Sequence, residues 1–142
     1  LSGINKRRLD KLGVSYHCLI RDPQVIEMAK EKGITRSMAA VEVAANDSRQ
    51  KIFIIGNAPT ALCKIIEMVN ENQLETAAVI GVPVGFVEAT ESKQALYESN
   101  IPAIVALGRK GGSNLAAALI NAVMYNMDIE KLGDEYGRHT KQ

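Results

Sequence analysis

The sequence predicts an α/β domain, a three-layer α/β/α sandwich built on a doubly wound parallel sheet. Three observations carry this expectation. Short apolar runs alternate with amphipathic helical stretches, the pattern of successive βαβ units. The runs are continuously apolar, which fits strands covered by helices on both faces. Three of them end on a glycine that leads into a helix: GNAPT at 56–60, GVPVGF at 81–86 and GRKGGS at 108–113.

The elements follow in order. Residues 14–20 (VSYHCLI) read as a buried strand. Asp22 caps a helix with Pro23 in its first position and Gly33 as its stop. A second helix is expected over 37–45, capped by Thr35 or Ser37. Residues 51–55 (KIFII) are a strand with β-branched bias. Gly56 and Asn57 turn the chain into a helix from about Pro59. A strand at 76–81, the stiff loop GVPVGF, a helix through EATESKQALYESN and a strand at 103–107 come next. A long apolar helix starts at Ser113, with Ser113 as its cap. That makes four strands. A flavodoxin-like sheet wants a fifth, and a chain opening at Leu1 leaves room for it upstream. Residues 1–142 are therefore read as one α/β domain, the C-terminal part of a longer chain, with 128–142 as a polar tail.

Composition narrows the function. With 46% apolar and 23% charged residues, the 142-residue chain has a globular make-up. Seventeen Lys+Arg against sixteen Asp+Glu leave a net charge of +1, and there is no Trp, so nucleic acid is not the expected partner. No apolar run approaches the length of a membrane span and no signal peptide is visible, so no membrane is expected. Cys18 and Cys63 lie outside any CxxC, which excludes a disulfide scaffold and a zinc site on count. Free thiols fit a reducing, cytoplasmic setting. Cys63 reads as a core residue on an apolar helix face, His17 as packed within its strand, and His139 as solvated.

In open parallel sheets ligands bind beyond the carboxyl ends of the strands. The three Gly-led loops belong there, each feeding a helix N-terminus that favours anions. GRKGGS adds Arg109 and Lys110 ahead of Ser113. In physical terms it is a carboxylate or phosphate clamp, or else a set of tight turns with cations in water. Neither GxGxxG nor GxxxxGK[ST] is present, so a nucleotide site has little support. Arg36, beside Ser37, either reaches into the crevice or caps the carbonyls before Gly33. Glu91, followed by Ser92 and Lys93, either accepts a proton or favours the positive end of its helix.

Read in full, GNAPTAL (56–62), GVPVGFVEATESK (81–93) and GRKGGSNLAAALINA (108–122) resemble the precorrin-8 methylmutase family, also called cobalt-precorrin isomerases. GITRSMAA (33–40) and CLIRDP (18–23) match as well, in the same order and across nearly the whole chain. The resemblance implies a flavodoxin-like homodimer of cobalamin biosynthesis. Its reaction moves a methyl group between neighbouring ring-C carbons of a polycarboxylate tetrapyrrole, with or without cobalt, and needs no cofactor and no protein metal. Arg36, Arg109 and Lys110 become the carboxylate partners and Asn57 and Thr60 further donors. Ser37, Glu91, Ser92, Lys93 and Ser113 complete the substrate-binding set. The family's general-acid histidine is expected upstream of Leu1. No catalytic residue is therefore assigned within 1–142, and His17 does not take that role. Glu88 departs from the family pattern, which has a small or polar residue there. The alternative reading is a non-catalytic corrinoid-binding homologue.

Overall fold

A computed structural model describes the backbone of residues 2–139 and the side chains of 2–127. Six α-helices and three strands are seen among them: α1 Lys6–Lys11, α2 Pro23–Lys32, α3 Arg36–Ala45, β1 Ile52–Ile55, α4 Pro59–Asn70, β2 Ala78–Gly81, α5 Val87–Glu98, β3 Ala103–Val105 and α6 Ser113–His139. The strands form a parallel sheet in the order β1-β2-β3, with Ile54 opposite Ile80 and Ile80 opposite Ile104.

Strand side chains alternate between two helical layers. On one face Phe53, Ile55, Val79 and Val105 pack with Leu62 and Ile65 of α4 and Leu96 of α5. On the other, Ile54, Ile80 and Val82 pack with Ala116, Ile120 and Met124 of α6 and with Leu9 of α1. This is the expected three-layer α/β/α sandwich. Helices α2 and α3 add an outer hairpin around Val25, Ala29 and Ala39. Glu42 of α3 ties it inward, taking an ion pair from Lys32 of α2 at 2.5 Å and from Lys64 of α4 at 3.2 Å.

Local chemistry starts and stops these helices largely as expected. The Asp22 carboxylate accepts from the Gln24 N–H, Pro23 opens α2, and Gly33 closes it in the left-handed region at φ +64°. Thr35 caps α3 through the Met38 N–H, 3.1 Å from its hydroxyl.

The first expected strand is absent. Residues 14–18 run without a ladder and end in a 3-10 turn, Leu19–Arg21. A β-branched and aromatic run becomes a strand only where a neighbour takes its backbone groups. Here the Val14 N–H turns back to the Leu9 carbonyl, and no strand among the described residues pairs with this segment. The sheet thus has three of the four expected strands. His17 is correspondingly exposed and not packed. Cys63 is also exposed, off the buried stripe of Leu62, Ile65 and Met68, so it is not a core residue.

Helix α1 was not foreseen. Asn121 of α6 anchors its approach, donating to the Gly3 carbonyl and accepting from the Asn5 N–H. Helix α6 runs on to His139, past residue 128 where the sequence reads as a polar tail. Residues 140–142 and the side chain of His139 lie outside what is described. No helix among the described residues is long and apolar enough to cross a membrane.

Candidate active site

Because β1, β2 and β3 are parallel, the loops 56–58, 82–86 and 106–112 that follow them leave from one edge of the sheet. Gly56 brings the first loop against the third. A Cβ there would sit 2.8 Å from the Ser113 Cα and 3.0 Å from its nitrogen, so only glycine lets α6 begin this close to β1. The second and third loops are joined by their backbones. The Gly112 N–H donates to the Val82 carbonyl at 2.8 Å and the Gly85 N–H to the Arg109 carbonyl at 3.3 Å. Gly111 packs directly on the Val82 carbonyl, leaving no space for a side chain.

A fourth segment joins this edge. Thr35, ahead of α3, shares a hydrogen bond with Thr60 at the start of α4, their hydroxyls 3.2 Å apart. The amino ends of α3, α4, α5 and α6 therefore gather on one side. Neither Ala58 before α4 nor Phe86 before α5 supplies a side-chain cap. The Thr60 N–H of α4 and the first N–H groups of α5 therefore have no side-chain cap, and such helix ends favour anions.

Of the residues singled out in the sequence, Arg36, Asn57, Arg109, Lys110 and Ser113 are exposed on these segments, and Ser37 and Thr60 are half-buried. Ser113 is the first residue of α6, one place inside the cap position expected for it. Arg36 heads α3 and does not close α2; the Gly33 and Ile34 N–H groups, bonded to the Ala29 carbonyl, do that.

Glu91 is exposed further along α5. Together with Glu88 it faces Cys63 across the α4–α5 surface. The Cys63 thiol is raised above its ordinary range, by partial burial first, then by Glu88, with Glu91 adding less. This surface disfavours a thiolate and gives no support to a nucleophilic cysteine.

Ser92 and Lys93 are buried and turned inward. The Ser92 hydroxyl donates to the Ala89 carbonyl, and the Lys93 ammonium donates to the Lys110 carbonyl at 2.8 Å. As the chain stands here, neither offers surface to a ligand, which departs from the substrate-binding place the sequence assigned them. Burial lowers the Lys93 pKa from its ordinary value.

Two residues of this edge escape sequence reasoning. Thr35 reads only as a cap, yet its hydroxyl also bridges to α4. Phe86 stands 79% exposed at the entry to α5, with Val84 and Val87 also exposed beside it. The signal for Phe86 was a lone aromatic directly after Gly85 in a crevice loop.

The edge presents cations, hydroxyls and backbone donors around a small apolar patch. No cluster of three or more metal-ligating side chains occurs among the described residues. A cavity of about 480 Å³ lies at the opposite edge, lined by Arg49, Asn72, Glu75, Thr76 and their neighbours. It holds none of the helix N-termini or loop cations, and the position of ligand sites in parallel sheets favours the loop edge.

Comparison with known proteins agrees with the motif reading. A family described as precorrin-8X methylmutase matches residues 1–126. A cobalt-precorrin-8 methylmutase of Salmonella typhimurium is 53% identical over 128 residues, 89% of this chain and 59% of that protein. One of Methanocaldococcus jannaschii is 44% identical over 124 residues, 85% of this chain and again 59% of the relative. The solved structure of a Thermus thermophilus precorrin-8x methyl mutase superposes with a TM-score of 0.76 at 37% identity, covering 87% of this chain and 60% of that one. The chain thus spans about 59% of the length of these curated relatives. With most of its length matched at this identity, the chain belongs to the precorrin-8X methylmutase family.

Proposed function

We propose that the loop edge holds a polycarboxylate tetrapyrrole and serves the methyl migration of precorrin-8, with or without cobalt, in cobalamin biosynthesis. The observation that carries this is the convergence of Arg36, Arg109 and Lys110 with four helix N-termini on one edge of a chain of this family. A flat macrocycle fringed with carboxylates needs donors spread over several loops rather than one deep charged pocket. Arg109 offers a two-pronged carboxylate contact from its exposed loop position. Asn57 and Thr60 give neutral donors between the charged ones, and Phe86 gives the ring a surface to lie against.

Migration of a methyl group within one molecule neither oxidises nor reduces it, so the reading needs no redox cofactor. The edge residues bind and orient the substrate; none of them is assigned the proton transfer that assists migration. A homodimer in the cytoplasm belongs to the same reading. Tyr125 and Met127 are about half exposed on α6, an apolar surplus that a second copy would cover.

Titration with dicyanocobyrinic acid, which carries seven carboxylates, tests the reading, with its heptamethyl ester as the neutral control. The expected result is an absorbance shift on binding the acid and at least tenfold weaker binding of the ester. Equal affinities, or no binding of either, would remove the edge as a polycarboxylate site. Binding together with failure of the full-length protein to turn over precorrin-8 would favour the non-catalytic corrinoid binder. Light scattering tests the dimer, and a monomer well above micromolar concentration counts against it.

A further inference from the structure

Among the described residues Lys93 is the only charged side chain with no accessible surface, and no carboxylate there lies within ion-pair distance of it. An ammonium withdrawn from water is ordinarily paired with an anion. This one donates to a neutral partner, the Lys110 carbonyl, at 2.8 Å across the gap between α5 and the β3–α6 loop. Burial lowers its pKa from the ordinary value.

The bond sets the direction of one peptide group. The peptide unit is planar and trans, with its N–H pointing opposite to its carbonyl. With the Lys110 carbonyl drawn toward Lys93, the Gly111 N–H is turned away from it, and no described group accepts from that N–H. The flanking Arg109 carbonyl and Gly112 N–H are already engaged by Gly85 and Val82. Gly111 is seated against the Val82 backbone. The loop is therefore held on three sides, and the Lys93 contact is the one that carries a charge.

We propose that Lys93 is a positioning residue for the β3–α6 loop: it holds the Lys110–Gly111 peptide with its N–H free for a substrate carboxylate and leaves an unneutralised positive charge beneath that loop. The inference rests on the polycarboxylate reading above. It gives Lys93 an indirect role, since the side chain has no surface with which to touch a substrate.

The test uses the full chain of the protein and two probes, dicyanocobyrinic acid and its heptamethyl ester. Lys93→Met keeps the length of the side chain and removes both the donor and the charge. In this variant affinity for the acid is expected to fall at least tenfold, while affinity for the ester changes less than twofold. The carbonyl 13C resonance of Lys110, which reports the hydrogen bond, is expected to move. Lys93→Gln keeps a donor without a charge. It is expected to hold that resonance nearer the wild-type position and to bind the acid between the other two, and it carries the comparison if the Met variant does not fold. An unmoved Lys110 resonance in Lys93→Met overturns the positioning role, and this readout needs no ligand. Wild-type preference for the acid in both variants overturns the role of the charge. Wild-type protein that binds acid and ester alike overturns the functional reading itself, while the resonance still decides whether Lys93 holds the loop.

Discussion

Arg109 and Gly56 stand at this edge in opposite ways, one side chain exposed and one position closed to any side chain. Arg109 is exposed, and its backbone carbonyl is the part that the fold uses, accepting from Gly85. Truncating its side chain therefore leaves the loop joined. Arg109→Ala is expected to weaken dicyanocobyrinic acid binding about ten- to a hundredfold, the worth of a charge-assisted bond of about 1.5–3 kcal/mol. Its melting temperature should stay within about a degree of wild type. Arg109→Lys should recover part of the affinity, because an ammonium cannot make the paired contact. Unchanged affinity in Arg109→Ala would take this residue out of the site. Gly56 behaves in the opposite way. In Gly56→Ala the new methyl meets the Ser113 backbone, which cannot swing aside as a side chain can. The expected cost is about 1–3 kcal/mol, read as a lower midpoint in urea.

At the scale of elements, α3 is held at both its amino end and its middle. Thr35 caps it and bridges to Thr60 of α4. Thr35→Ala should destabilise by about 1 kcal/mol through loss of the cap, and Thr35→Ser should restore most of it. Equal stability of the Ala variant would mean that water replaces the cap without cost. Glu42 ties the middle of α3 to Lys32 and Lys64. Its carboxyl is held below the ordinary value of 4.5, by the Lys32 hydrogen bond first, with burial opposing and Lys64 adding to the lowering. A carboxyl depressed in the folded state stabilises above its unfolded pKa, and the contribution fades as pH falls through the folded value. Wild type and Glu42→Gln should therefore differ most near neutrality, by about 1 kcal/mol, and the difference should shrink as pH falls below the ordinary value of 4.5. Melting curves between pH 3 and 7 check this. A difference that is the same at both ends would show that the ion pairs do not contribute.

At the scale of the whole molecule, connectivity places the residues of the candidate site. Parallel strands joined by helices put every β-to-α loop on one edge, so groups as far apart in the chain as Gly56 and Ser113 become neighbours. The two helical layers then work differently. Helices α4 and α5 bury the apolar face shared with Phe53, Val79 and Val105, while α6 packs across Ile54 and Ile80 and brings its amino end beneath the first loop. Beyond that core α6 carries Tyr125 and Met127 into solvent, and β3 leaves Ile104 39% exposed. If a second copy covers α6, Tyr125→Glu should shift the protein toward monomer in light scattering, with its melting temperature little changed at low concentration. An unchanged mass would place the interface elsewhere.

Most elements were legible in the sequence because their causes are local. Asp22–Pro23 and Gly33 bound α2 through capping and a left-handed turn, whatever lies around them. The apolar runs at β1, β2 and β3, each followed by glycine and a helix, were enough to place the three loops on one edge, and with them Asn57, Arg109 and Lys110. What the sequence could not determine depends on partners distant in the chain. VSYHCLI has strand composition, but a strand exists only with a ladder, and none forms beside it among the described residues. Lys93 reads as one more cation beside Glu91 and Ser92. Only the packing of α5 under the 108–112 loop decides that its charge lies inside the protein and meets a carbonyl seventeen residues away. Cys63 reads as core by its apolar neighbours, yet the phase of α4 turns it outward, since Leu62 and Ile65 take the buried stripe. Periodicity, capping and turn chemistry act over a few residues and were settled by sequence alone. Burial of a charge, pairing of a strand and the meeting of two loops are properties of the packed chain, and the tertiary structure decided them.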